Sequence, residues 1–200
     1  MSGRVLEFWF DFASTYSYPA AMRIGPLAHG AGVTVRYRPF LLGPIFKAQG
    51  WDSSPFNVYP AKGRNMWRDL ERLCADLGLP FERPDPFPQN SLFAARAALA
   101  LPEALTGDFC RSVFRAGFGM GRRIDDVPTI ALILTHLKVD VPRILDLAQS
   151  AMIKTMLRQQ TDGAQQLGIY GAPSFVTPDG ELFWGNDRLE RAIAWARDGK

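Results

Sequence analysis

The apolar positions of this 200-residue chain follow two different periods near its start. Val5 to Phe10 is a nearly continuous apolar run, which is typical of a strand covered on both faces. From Tyr18 the apolar residues recur at helical spacing, and Gly30 and Gly32 end that segment. The pattern therefore predicts a buried strand that passes through a tight loop into a helix, with Ser14 near the start of the helix.

The next segments differ from one another in period. Val33 to Pro39 alternates between apolar and polar residues, which predicts a second strand, parallel to the first and reached by a right-handed crossover. Proline and glycine interrupt every period in Leu41 to Pro60, so that stretch is predicted to be irregular. Ala61 to Leu167 is helical in period, and Asp126 and Asp140, each followed by a proline, predict helix starts.

The β pattern returns near the end of the chain. Gly171 to Val176 and Leu182 to Trp184 predict two strands, joined by a hairpin turn at Pro178 to Glu181. Asp187 and Glu190 fit a capping box at the start of a closing helix. This order indicates an α/β protein with a small mixed sheet flanked by helices. Residues 1–41 and 159–200 are predicted to form the domain with the sheet, and residues 42–158 an inserted all-helical domain that acts as a lid.

Composition and charge exclude several classes of function. The net charge is only +3, and bases alternate with acids in stretches such as Arg68 to Arg72, so neither nucleic acid nor an anionic membrane is an expected partner. His29 and His136 are isolated, and no metal site is expected. Cys74 and Cys110 lie in apolar helical patterns and are predicted to be buried free thiols. With no evident signal peptide or membrane span, a cytoplasmic location is expected.

Three positions have side chains or backbone groups suited to ligand binding. Ser14 near a helix N-terminus could help to hold an anion, although for a serine taken alone a plain helix cap is the commoner role. The extended backbone of Ala172 before Pro173 could pair with an extended peptide, although an ordinary edge proline is the alternative. Asn186 and Asp187 could meet an ammonium or a carboxylate, or only cap the last helix.

The chain resembles the glutathione-dependent branch of the DsbA-type proteins, which have a thioredoxin fold with a helical insertion. That branch comprises the 2-hydroxychromene-2-carboxylate isomerases and the kappa-class glutathione transferases. The resemblance covers essentially the whole chain. It rests on four stretches: Phe10 to Tyr18 (FDFASTYSY), Leu42 to Lys47 (LGPIFK), Gly171 to Ser174 (GAPS) and Trp184 to Leu189 (WGNDRL).

The resemblance implies roles for individual residues. Ser14 and Ser17 stand where redox members carry two cysteines, and Ser14 matches the serine that holds the glutathione sulfur. Pro173 matches the family's cis-proline, and Ala172 the residue whose backbone pairs with the cysteinyl unit. The other matches are Asn186 and Asp187 at the γ-glutamyl end, Trp184 and Gly185 in the wall beside it, and Asn57 and Lys47 in a ligand-binding loop. Phe87 stands where some isomerases have an aromatic hydroxyl. In the expected reaction, Lys47 or Arg64 binds the substrate carboxylate.

The implied function is that of a glutathione-dependent cis–trans isomerase of aromatic catabolism, in which a thiolate adds reversibly to a conjugated double bond. A kappa-type transferase would use the same thiolate but consume glutathione. A thiol oxidoreductase is disfavoured because Ser14 and Ser17 replace the cysteines. A non-catalytic protein that binds peptides at the Ala172 edge is a further alternative. A homodimer is compatible with this branch, although the sequence reveals no interface.

Overall fold

A computed structural model of the protein, describing residues 4–199, contains one four-stranded mixed sheet in the order β2-β1-β3-β4. The parallel pairing of β1 with β2 and the antiparallel hairpin of β3 and β4 are both confirmed. Strand β3 also pairs antiparallel with β1, which places the start of β3 beside the end of β1. The strands are β1 (Val5–Phe10), β2 (Thr34–Pro39), β3 (Ser174–Val176) and β4 (Leu182–Trp184).

Helices surround the sheet and form the block between β2 and β3. Asp126 and Asp140 cap two of them as predicted, because each carboxylate accepts a hydrogen bond from a backbone N–H three residues ahead. The helices are α1 (Ser17–Gly30), α2 (Leu42–Ala48), α3 (Pro55–Val58), α4 (Pro60–Asp76), α5 (Leu92–Ala100), α6 (Glu103–Phe114), α7 (Val127–His136), α8 (Val141–Gln149), α9 (Ala151–Gln166) and α10 (Leu189–Asp198).

The prediction that Leu41 to Pro60 is irregular was wrong, because α2 and α3 lie within it. Pro44 occupies the third position of α2, and Pro55 the first position of α3. A residue in the first turn of a helix has no partner within the helix for its N–H. A proline, which lacks an N–H, therefore loses no helical hydrogen bond at these positions and does not break the helix.

Two further local predictions were wrong. The capping box of Asp187 and Glu190 does not form: a 3₁₀ turn spans Asn186–Arg188, and Glu190 pairs with Arg23 instead. The strand predicted from Gly171 begins only at Ser174.

The hydrophobic core covers both faces of β1, as the continuous apolar run predicts. On one face Phe8 and Phe10 are fully buried, and the ring of Phe8 stacks 5.5 Å from that of Phe175. On the other face Trp9 packs against Phe40, with a ring separation of 6.2 Å. The buried thiols of Cys74 and Cys110 belong to the first of these clusters, which confirms the prediction for both.

Helix α9 connects the helical block to the sheet. It contacts α5 and α8 in the block, and also α2 and β2. It runs unbroken through residue 158, the predicted end of the insertion, and the division of the chain into two domains stays a prediction. Within residues 4–199, no helix is long and apolar enough to cross a membrane.

Candidate functional site

A cavity of about 730 Å³ opens between the sheet and the helical block. Its walls are the loop after β1, the segment that contains α2 and α3, the proline-rich loop before α5 and the segment before β3. This volume lies within the range typical of small-molecule sites.

Ser14 lies in the wall of this cavity and is almost buried, with 8% of its surface exposed. Its hydroxyl Oγ donates a hydrogen bond to the carbonyl oxygen of Ala172 at 3.0 Å. Helix α1 begins at Ser17, three residues later, and its first residues have no side-chain cap. The interpretation of Ser14 as a helix cap was therefore wrong, whereas its predicted place near the start of the helix is confirmed.

The segment before β3 carries the backbone groups that face Ser14. The Ala172–Pro173 peptide bond is cis, as the resemblance implies. The carbonyl of Pro173 accepts a hydrogen bond from Gly185 N at 2.9 Å, and the carbonyl of Gly171 accepts one from Ser174 Oγ at 2.9 Å. Ala172 lines the cavity, and its N–H makes no hydrogen bond within residues 4–199.

A buried carboxylate, that of Asp11, holds two walls of the cavity together. One oxygen accepts a hydrogen bond from Ala13 N at 2.9 Å, and the other accepts one from Leu42 N, at the start of α2, at 2.8 Å. The carbonyl of Asp11 also accepts a hydrogen bond from Ser14 N at 2.9 Å. Burial raises the pKa of Asp11, although the hydrogen bonds it accepts from Leu42, Ser91 and Ala13 oppose that effect.

Aromatic rings line much of the cavity wall. Phe87 packs edge-on against Trp67 at 4.6 Å. Trp184, 49% exposed at the mouth, packs 5.0 Å from Tyr170. A Cβ at Gly171 would lie only 2.5 Å from Trp184 Nε1, so glycine allows this tryptophan to approach the cavity. The wall is suited to a flat, apolar ligand.

Four predicted site residues lie together in the cavity wall: Ser14, Ala172, Trp184 and Phe87. Lys47 and Arg64 are exposed and lie outside the lining. Asn57 is also exposed and outside it, and its amide donates to Ser53 Oγ at 3.2 Å. Phe46, the neighbour of Lys47, lines the cavity instead of that lysine.

The predicted residues around β4 and the turn after it also lie outside the lining, Trp184 excepted. Asn186 is buried, and its side-chain oxygen accepts a hydrogen bond from Arg23 Nη1 at 3.1 Å. Asp187 is exposed, with a carboxylate oxygen 3.1 Å from Arg188 Nη1. Gly185 has a φ of 107°, which favours glycine.

Sequence reasoning at the level of single residues missed three charged residues that line the cavity: Asp11, Asp52 and Lys62. Asp11 was recognisable as a lone acid in an apolar run between a strand and a helix. Nothing in the sequence distinguished Lys62 as a site residue, because it is one of several basic residues on an amphipathic helix. It is the one cationic side chain among the lining residues that the structure describes, and its Nζ lies 4.8 Å from the centre of the Tyr59 ring.

Comparison with known proteins identifies related chains. The model of the family described as DSBA-like thioredoxin domain matches residues 5–192. A 2-hydroxychromene-2-carboxylate isomerase of Pseudomonas sp. (strain C18) is 31% identical over 96% of this chain and 91% of its own. Glutathione S-transferase kappa 2 of Caenorhabditis elegans is 27% identical over 93% of this chain and 88% of its own. The solved structure of a 2-hydroxychromene-2-carboxylate isomerase superposes with a TM-score of 0.86 and 28% identity, covering 95% of this chain and 93% of that one.

Proposed function

The chain belongs to the DSBA-like thioredoxin domain family, and within it we propose that the protein is a glutathione-dependent cis–trans isomerase of the 2-hydroxychromene-2-carboxylate type. The isomerases among its relatives support the reaction class. The proposed setting is aromatic catabolism in the cytoplasm. A homodimeric assembly is part of the same proposal.

The observation that carries the proposal is the contact between Ser14 and Ala172 at the cavity wall. A hydroxyl with little exposure lies beside the backbone of Ala172, whose N–H has no hydrogen-bond partner among residues 4–199. Both cysteines of the chain are buried in the core, so neither can supply a sulfur to this cavity. Burial raises the pKa of Cys74 to about 11 and that of Cys110 well above its ordinary value, which keeps both thiols protonated. Any thiol chemistry in the cavity therefore needs a thiol from a ligand.

The residues present fit glutathione in this role. Ala172 can pair with the cysteinyl unit of the tripeptide through its N–H and carbonyl, and Ser14 can donate a hydrogen bond to the sulfur. Trp184, Gly185, Asn186 and Asp187 are proposed at the γ-glutamyl end, with Asn57 beside the ligand. When bound, glutathione supplies a nucleophilic sulfur that adds reversibly to a conjugated double bond.

The remaining walls are suited to the aromatic substrate. Phe46, Phe56 and Phe87 provide an apolar surface that excludes water from the reacting bond. A 2-hydroxychromene-2-carboxylate carries an anionic carboxylate, and Lys62 is the lining cation that we propose to bind it. Lys47 and Arg64 stay alternative candidates for the same role.

An isomerisation assay tests the proposal. The wild-type protein is expected to interconvert 2-hydroxychromene-2-carboxylate and its ring-opened isomer only when glutathione is present, without consuming glutathione. Ser14→Ala is expected to reduce kcat by roughly 10²- to 10³-fold, the usual loss when a donor to a developing anion is removed. The variant is expected to stay folded, with a free energy of unfolding lowered by only about 1 kcal/mol through loss of the hydrogen bond to Ala172. Near-normal turnover by this variant would overturn the role of Ser14.

A kappa-type transferase is the second candidate, since kappa-class relatives match nearly the whole chain. It would use the same Ser14 and Ala172 groups but would consume one glutathione per turnover. Conjugate formation with a halogenated aromatic, without isomerase activity, would favour this candidate. Binding of extended peptides as tight as that of glutathione, without turnover, would favour a non-catalytic peptide-binding protein.

A further inference from the structure

We propose that the Ser14–Ala172 hydrogen bond makes this site selective for cysteinyl peptides over simple thiols. The Ser14 hydroxyl is released to bind sulfur only when an amide N–H of the ligand replaces it at the Ala172 carbonyl. This inference rests on the proposed function and names the class of thiol that the same site accepts.

Two acceptors, the Ala172 carbonyl and a bound sulfur, compete for the one hydrogen of the Ser14 hydroxyl. A serine hydroxyl carries a single hydrogen that it can donate, and the Ser14 hydrogen is directed to Ala172 O at 3.0 Å. A sulfur bound at Ser14 can receive that hydrogen only if the bond to Ala172 breaks. The Ala172 carbonyl would then lose its partner in a partly buried wall, which disfavours the exchange.

Ala172 can offer both of its backbone groups to a ligand in the cavity. Pro173 has no N–H, and its carbonyl is already bonded to Gly185 N. The carbonyl of Gly171 is bonded to Ser174 Oγ. The Gly171 N–H also has no partner among residues 4–199, but the serine bonded to its carbonyl, Ser174, is buried and lies outside the cavity lining. At Ala172 the carbonyl is instead bonded to a side chain in the cavity wall, where a ligand can replace it.

A cysteinyl peptide is the ligand that completes this exchange. An extended peptide pairs with both groups of one residue, donating its N–H to the carbonyl and accepting from the N–H. In a cysteinyl peptide the amide N–H and the CH₂–SH group are attached to the same carbon. Its N–H can replace Ser14 at Ala172 O while its sulfur receives the released hydroxyl, and the thiol proton leaves to solvent. A thiol without such an amide leaves Ser14 bonded to Ala172 and keeps its proton.

Two ligands of nearly identical shape test this selectivity. One is glutathione, and the other is its ester analogue, in which an oxygen atom replaces the N–H between the γ-glutamyl and cysteinyl units. The ultraviolet absorbance of the thiolate is followed against pH, with each ligand at saturation, for wild type, Ser14→Ala and Ser112→Ala. Ser112 lies on α6 outside the cavity lining and serves as a matched control.

In the wild type and in Ser112→Ala, the thiol of bound glutathione is expected to ionise at a pKa at least about one unit below that of the bound ester analogue, a tenfold difference in thiolate. In Ser14→Ala the two bound thiols are expected to ionise alike. Equal ionisation of both ligands in the wild type, or a difference that persists in Ser14→Ala, would overturn the inference. If both ligands bind and their thiols ionise at the same pKa, only the selectivity is contradicted. If glutathione does not bind at all, the proposed function is contradicted as well.

Discussion

Ser17 carries a hydroxyl that the fold buries completely without a hydrogen-bond partner among residues 4–199. An unpaired buried hydroxyl costs free energy, and alanine also has the higher helix propensity. We therefore expect Ser17→Ala to raise the free energy of unfolding by about 0.5–1 kcal/mol, measured by chemical denaturation. Ser174→Ala is the matched control, since it removes a buried hydroxyl that is bonded to Gly171 and should be destabilising. A destabilised Ser17→Ala would show that the Ser17 hydroxyl has a stabilising partner.

Asp11 makes the stability of the protein depend on pH. Burial raises its pKa in the folded state above the ordinary value of 3.8. The folded state therefore holds the Asp11 proton more tightly than the unfolded state does. The resulting stabilisation is complete below the unfolded pKa and is lost as pH rises through the folded pKa.

A comparison with Asp11→Asn isolates this effect, because asparagine does not titrate. The free energy of unfolding of the wild type, minus that of Asp11→Asn, is expected to fall as pH is raised from about 4 towards neutrality. Denaturant titrations of both proteins at several pH values measure it. A difference that is constant or increases over this range would contradict the raised pKa.

At the scale of elements, α2 and α4 place their cationic side chains differently relative to the cavity. All three cations are exposed, but Lys62, in the first turn of α4, lines the cavity, whereas Lys47 on α2 and Arg64 on α4 lie outside the lining. Lys62→Met is expected to raise KM for the carboxylate substrate about tenfold, the loss typical of one charge-assisted hydrogen bond, with a smaller effect on kcat. Steady-state kinetics of Lys47→Met and Arg64→Met, expected to be near wild type, provide the controls. If KM rises only in Lys47→Met or only in Arg64→Met, the residue changed in that variant, and not Lys62, binds the carboxylate.

The elements also show where sequence patterns succeed and where they fail. The apolar run of β1 and the aspartate caps of α7 and α8 were predictable because each depends on neighbouring residues alone. Helices α2 and α3 were missed because their prolines were taken as breaks, although they occupy first-turn positions. Asp187 and Glu190 have the sequence of a capping box, but the capping box does not form because Glu190 pairs with Arg23 on α1.

At the scale of the whole molecule, the site depends on a contact between residues 158 positions apart, Ser14 and Ala172. Ser14 alone is compatible with a helix cap, and Ala172 before Pro173 is compatible with an ordinary edge proline. Only the resemblance to the family, which includes both positions, indicated a binding site there. Lys62 could not be identified in this way, because its place in the wall depends on how α4 packs beside α3. The fold was therefore more predictable than the part of the site that faces the substrate.

The central claim is that this cavity binds glutathione with its sulfur at Ser14. Calorimetric titration of the protein with glutathione tests it most directly, in buffers of different ionisation enthalpy so that released protons are counted, with Ser14→Ala in parallel. The account predicts saturable binding with proton release by the wild type, and markedly less proton release by Ser14→Ala. No binding at millimolar glutathione, or equal proton release by both proteins, would contradict it.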